Sequence, residues 1–127
     1  MKFMIGCNYW GSESAVNMWK DWNEDSVDND LKHLASYGVE YLRVFPNWRD
    51  FQPVSSVKTF WGNIQGYYYD DEHRVCDEFG INTECITNFK TFAGLAKKHN
   101  IKLIVSILTG WMSGRLFVPP ALEGKNL

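Results

Sequence analysis

The sequence has 127 residues, 45% hydrophobic and 22% charged, which is enough for one domain with a sizeable core and excludes both a disordered tail and a membrane protein. A formal net charge of −2, with lysines scattered along the chain, leaves no basic stripe to displace the counterions of a nucleic acid. The unusual feature is the aromatic share of 16%, with six Trp, six Tyr and eight Phe, much of it outside the periodic segments.

Phe3 to Asn8 is a short, largely apolar run, the pattern of a strand covered on both faces. It is too short for the core of a signal peptide and no small-residue cleavage site follows, so a cytoplasmic chain is expected, unless residues that precede Met1 direct export. A polar loop holds Trp10, Trp19 and Trp22. Asp25-Ser26-Val27-Asp28 then opens a helix with acidic residues in its first turn, Val27, Leu31 and Leu34 form its apolar stripe, and Gly38 ends it. Val39 to Phe45 is a second strand, rich in β-branched and aromatic residues and stopped by Pro46.

Pro46 to Gly80 has no sustained periodicity and is expected to be a long, aromatic-rich functional loop. Ile81, Cys85, Phe89, Phe92 and Ala96 recur at helical spacing, with Asn82 or Thr83 as cap and Asn100 as stop. Ile101 to Leu108 is a third strand, and Thr109 to Leu127 is a Gly- and Pro-containing connection. The order β-α-β-α-β implies parallel strands with right-handed helical crossovers, which fits both an open doubly wound sheet and a barrel. Residues 1–127 are expected to form one domain portion. Three strands leave an open edge on each side, so self-association through those edges is expected. A (β/α)8 barrel needs about 250 residues, so the chain holds about three of eight units.

In parallel α/β folds the connections that follow the strands gather at the ligand-binding end. Here that end collects Asn8-Tyr9-Trp10, Arg43 to Trp48, and Thr109-Gly110-Trp111. The run Gly6 to Gly11 has the wrong spacing for a dinucleotide fingerprint, and its bulky rings would hold a pyrophosphate away from the backbone. Arg43 lies inside an apolar strand, where a guanidinium needs a partner, so an anion is expected beside it. Alternation places it with Tyr41 and Phe45, opposite Leu42 and Val44. It is either a structural ion pair or the cation that keeps an active-site carboxylate ionised.

Trp10, Trp48, Trp61 and Trp111 are core residues or faces for a pyranose ring, and Asn8 and Asn47 are candidates to bond its hydroxyls. An oligo- or polysaccharide is therefore the expected partner. Asp70-Asp71-Glu72-His73 reads as a solvated loop rather than a metal site, because adjacent residues cannot all converge on one ion; no cofactor is expected. Cys7, Cys76 and Cys85 match no disulfide or zinc pattern and are expected as thiols. His33 and His99 are expected to stay clear of the strand ends, and Glu13, Glu24 and Asp50 to have no recognisable partner.

Taken together, Ile5 to Trp10 as first strand, Asp28 to Gly38 as first helix, Tyr41 to Phe45 as second strand, and Ile104 to Gly114 as third strand and loop resemble the N-terminal part of glycoside hydrolase family 5 and related cellulase- and mannanase-like barrels. The resemblance implies an incomplete (β/α)8 barrel from a retaining enzyme that acts on β-linked glycans, β-mannan or β-glucan. It also implies two glutamates about 5 Å apart, an acid/base after the fourth strand and a nucleophile on the seventh, both beyond Leu127. Arg43 matches the family arginine that hydrogen-bonds the nucleophile. Asn8, Trp10, Asn47, Trp48 and Trp111 are carried over as substrate-binding candidates. Many members place a histidine where this chain has Trp111, so either that indole stacks on sugar or the subfamily differs. A non-catalytic carbohydrate-binding module and a barrel enzyme of unrelated chemistry are the alternatives.

Overall fold

A computed structural model describes residues 3–69, 76–107, 109–112 and 115–122. Asp70 to His73 lies outside the described residues. The chain divides into two units, Met1–Pro46 with Thr87–Ser106, and Asn47–Ile86 with Ile107–Leu127.

The first unit is built on a parallel sheet of β1 (Gly6–Asn8), β2 (Tyr41–Val44) and β5 (Lys102–Val105), in the order β1-β2-β5. Register runs Gly6 to Tyr41 and Asn8 to Arg43 on one side of β2, and Tyr41 to Lys102 through Val44 to Val105 on the other. Gly6 is required by packing, since a Cβ there would lie 3.0 Å from both Cβ and the carbonyl oxygen of Tyr41. The strands are shorter than their apolar runs: Phe3, Met4 and Ile5 precede β1 and remain exposed.

Helix α1 (Glu24–Ser36) starts just ahead of the Asp25 to Asp28 cluster, because Asn23, two residues before Asp25, is the cap and its side chain accepts from the Ser26 backbone N–H at 3.1 Å. It buries Val27 and Leu31 and ends as the stripe predicts: Gly38, at φ +82°, donates to Ala35, and Val39 donates to Leu34. Helix α3 (Thr83–Lys98) takes Asn82 as its cap, whose side chain accepts from Glu84 N and Cys85 N at 3.0 Å each. Asn100, at φ 56°, closes it with the same pair of bonds, to Lys97 and from Ile101 to Ala96. Cys85, Phe92 and Ala96 are buried.

The core of the first unit is aromatic. Trp19 is fully buried, donates from Nε1 to the Phe45 carbonyl at 2.9 Å, and has its ring centroid 5.6 Å from Phe89 and 5.8 Å from Phe92. Tyr9 stacks on Phe92 at 5.5 Å. Trp19 thus belongs to the core and not to a polar loop. Asn88, buried on α3, donates to the Trp19 carbonyl at 3.0 Å, which gives a buried backbone acceptor a hydrogen bond.

The second unit corrects the expectation of a long irregular loop after Pro46. It contains a four-residue helix α2 (Trp48–Phe51) and an antiparallel hairpin of β3 (Val54–Lys58) and β4 (Ile64–Tyr69), with a register shift between Val57 and Lys58. The connection after Thr109 holds a second small hairpin, β6 (Trp111–Met112) with β7 (Arg115–Leu116), and a 3-10 turn at Pro120–Leu122.

Candidate functional site

In the first unit the expected alternation along β2 holds. Leu42 and Val44 are fully buried, and Arg43 is exposed on the opposite face with Tyr41. Asn8, beside Arg43 in register, shares with it a hollow of about 550 Å³ whose walls also include Met4, Gly6, Tyr41 and Ile104. Among the described residues Arg43 donates from Nε to Ser106 Oγ at 2.8 Å, and its guanidinium lies 5.0 Å from the centroid of the Phe45 ring. Arg43 is exposed, and a solvated guanidinium carries little desolvation cost. Phe45 also stacks on Trp10 at 4.7 Å with the planes 17° apart. One buried ring therefore supports both Arg43 and Trp10, and Trp10 is half-buried as a result.

A second hollow of about 310 Å³ is lined by Asn8, Tyr9, Trp10, Ser12, Asp30 and His33 among others. Asp30 accepts from the Tyr9 hydroxyl and from the Ser12 backbone N–H, both at 2.9 Å. Burial, and then the Asp30 charge and its hydrogen bond, push the Tyr9 phenol well above the ordinary tyrosine value, so it remains a proton donor to Asp30. His33, expected to stay clear of the strand ends, shares this hollow with Asn8 and Trp10. The edge strand β1 also presents Cys7 as an exposed thiol.

In the second unit Asn47, a substrate-binding candidate, is 0% exposed and acts as the cap of α2. Its Oδ1 accepts from Asp50 N at 3.0 Å, and its Nδ2 donates to Asp50 Oδ2 at 2.9 Å. Asp50, also 0% exposed, accepts in addition from Arg49 Nε at 2.7 Å and from the second Arg49 guanidinium nitrogen at 3.2 Å. The expectation that Asp50 has no partner is corrected by this knot. The spacing Asn47-x-x-Asp50 is the signal that could have found it, because residues three apart bracket the first turn of a helix.

The knot fixes the connection between strands and helices. Asn47 bridges Thr109 in parallel fashion, Trp48 N donates to the Thr109 carbonyl at 3.3 Å, and Arg49 N donates to the Phe117 carbonyl at 3.0 Å. Arg49 also lies 5.1 Å over the Phe117 ring. Trp48 is half-buried and donates from Nε1 to Gln52 Oε1 at 3.0 Å, whereas Trp111 on β6 is 66% exposed. Asn8, Trp10 and Arg43 thus come together in the first unit, and Asn47 and Trp48 meet Thr109, two residues before Trp111, in the second.

No family model and no curated protein matches the sequence. Solved structures do. An exo-β-1,4-mannosidase from Opitutaceae bacterium strain TAV5 is 25% identical with a TM-score of 0.70, over 94% of this chain and 17% of its own. GH5_18 from Bifidobacterium longum subsp. longum is 24% identical with a TM-score of 0.72, over 96% of this chain and 24% of its own. GH5_18 from Streptomyces cattleya, solved in complex with GlcNAc, is 24% identical with a TM-score of 0.71, over 94% and 23%. The chain spans about a quarter or less of the structures that it matches. Its β-α-β-α-β core of parallel strands is that of a barrel and not of an open doubly wound sheet. The chain is similar in fold to part of the (β/α)8 barrel of these glycoside hydrolase structures.

Proposed function

We propose that this chain forms one wall of the substrate cleft in a retaining hydrolase of β-linked glycans, with β-mannosides favoured over β-glucans. The observation that carries the reading is Arg43, aimed from the middle of a parallel sheet into the same hollow as Asn8 and clamped by Ser106 and Phe45. Support for the substrate comes from the similar structures, one an exo-β-1,4-mannosidase and one a GH5_18 variant in complex with Manβ1-4GlcNAc.

In this reading the paired glutamates come from strands that these 127 residues do not contain. Arg43 is a positioning residue: its guanidinium holds the nucleophilic carboxylate in line with the anomeric carbon and lowers its pKa, so that it is ionised when it attacks. In the first unit Asn8 bonds a sugar hydroxyl and Trp10 offers a ring face to the sugar, and in the second unit Trp48 and Trp111 are further stacking candidates. Asn47 caps the short helix that carries Trp48.

The test is hydrolysis of 4-nitrophenyl β-mannoside by the polypeptide that carries the remaining strands. Arg43→Ala is expected to lower kcat by about 100-fold and to move the acid limb of the pH profile upward, because the nucleophile loses the cation that keeps it ionised. An unchanged kcat and acid limb would remove Arg43 from the site.

A further inference from the structure

The turn between β3 and β4 carries two aromatic rings that the site above does not use. We infer that Phe60 and Trp61 form a saccharide-stacking platform, a distal subsite for one pyranose of an extended β-linked glycan. The inference rests on the glycan reading of the cleft and adds a place where the chain length of the substrate is sensed.

Phe60 is 94% exposed and Trp61 83% exposed, an adjacent pair of large rings left in water. A single exposed apolar side chain is ordinary, but a contiguous aromatic pair marks a surface made to be covered. The turn that presents them is tightly held. Thr59 N donates to the Asn63 carbonyl at 2.8 Å, Gly62 N donates to the Thr59 carbonyl at 2.9 Å, and Asn63 N donates to Thr59 Oγ1 at 3.1 Å. Gly62, at φ +82°, supplies the left-handed residue that the turn requires. Phe60 and Trp61 occupy the two corner positions, from which side chains project away from the ladder. Their rings sit 5.3 Å apart at 85°, an edge-to-face pair in which the edge of one ring meets a face of the other and the rest of both rings is open to solvent.

An aromatic face bordered by polar groups suits the C–H face of a pyranose and its hydroxyl rim, and Thr59 and Asn63 supply those groups at the base of the turn. An anionic lipid or nucleic acid fits less well. Lys58 is the only basic residue from Val57 to Tyr69, and the chain carries a net charge of −2. In chain order the hairpin belongs to the connection that follows the carboxyl end of β2, the class of loop from which (β/α)8 enzymes build substrate sites.

The experiment titrates the full chain and its Phe60→Ala, Trp61→Ala and Trp61→Tyr variants with β-1,4-mannohexaose and β-1,4-mannobiose by calorimetry. The expected result for Trp61→Ala is hexaose binding weakened about tenfold with biose binding unchanged, and for Trp61→Tyr, hexaose binding largely restored. Because both rings are exposed, the thermal midpoint should not move. Wild-type chain that binds hexaose with an affinity that neither alanine variant changes overturns the platform and leaves the glycan reading standing. Wild-type chain that binds neither saccharide overturns both. Partition into phosphatidylcholine vesicles that Trp61→Ala abolishes assigns the tip to a lipid surface and overturns the inference.

Discussion

Asp50 and Arg43 are the two charged residues whose surroundings differ most from what their positions in the sequence suggest. Asp50 is buried, and four hydrogen bonds, two with the Asn47 cap and two from Arg49, satisfy its carboxylate and backbone. Asp50→Ala removes the acceptor and leaves the Asn47 amide without it, so we expect a loss of about 3 kcal/mol, read as a lower urea midpoint with unchanged slope. Asp50→Asn should recover part of this, since one acceptor oxygen remains. A second prediction concerns Asp28, which accepts from Lys98 Nζ and His99 Nε2 at 2.7 Å each. The Lys98 bond and then the His99 bond hold its carboxyl below the ordinary value of 3.8. A depressed folded-state pKa contributes stability above the unfolded value and loses it as pH falls through the folded one. The stability gap between wild type and Asp28→Asn should therefore be present at pH 6 and shrink as pH falls below 3.8 towards the lower folded-state value. The sequence showed that Arg43 needed explaining, but not that Ser106 and an aromatic ring meet it, because the partner depends on which strand-end residue faces the same side. Asp50 was missed for a simpler reason. A four-residue helix has too few turns to show a period, and only the cap spacing announces it.

Elements with a long apolar period were legible, and those built by turns were not. Helices α1 and α3 repeat buried residues every three or four positions, and their ends carry residues suited to the left-handed conformation, Gly38 and Asn100. The exact start of α1 was hidden because Asn23 precedes an acidic cluster that itself looks like a start. Asn23→Ala should cost about 1 kcal/mol, measurable as a lower thermal midpoint, as its side chain is what satisfies Ser26 N. The β3–β4 hairpin escaped notice because Thr59-Phe60-Trp61-Gly62 lacks the Asn-Gly or Asp-Gly signal of a two-residue turn, and its closure relies on the Thr59 hydroxyl. Strand β1 reads as six residues but pairs over three, Gly6 to Asn8, since pairing needs a neighbour and not only an apolar side chain. Gly6→Ala places a methyl 3.0 Å from Tyr41 Cβ and carbonyl oxygen, with backbone on one side that cannot yield. We expect about 2 kcal/mol of destabilisation, measured by urea unfolding, and a neutral outcome would mean that β1 shifts along β2.

At the scale of the whole molecule, the parallel three-strand core and its helices were legible because strand-helix alternation admits few topologies, and the comparisons chose the barrel among them. The site was legible only in part. Arg43, Asn8 and Trp10 were placed together by alternation and chain order, while the burial of Asn47 and the exposure of Phe60 and Trp61 depend on tertiary packing that composition does not encode. Among the described residues the sheet ends at β1 on one side and β5 on the other, with Ile104, Val105 and Ile107 exposed. A parallel sheet with open edges and an apolar face associates when nothing covers it. The sedimentation coefficient of the chain should therefore rise with concentration. Under the proposal that Arg43 serves a glutamate pair from strands outside these 127 residues, the chain is expected to bind a β-linked glycan without hydrolysing it. This expectation is tested most directly by incubating the 127-residue chain with β-1,4-mannohexaose and following both binding and release of mannose. The account predicts saturable binding, weakened by Arg43→Ala, with no mannose released; mannose release by the 127-residue chain itself would contradict it.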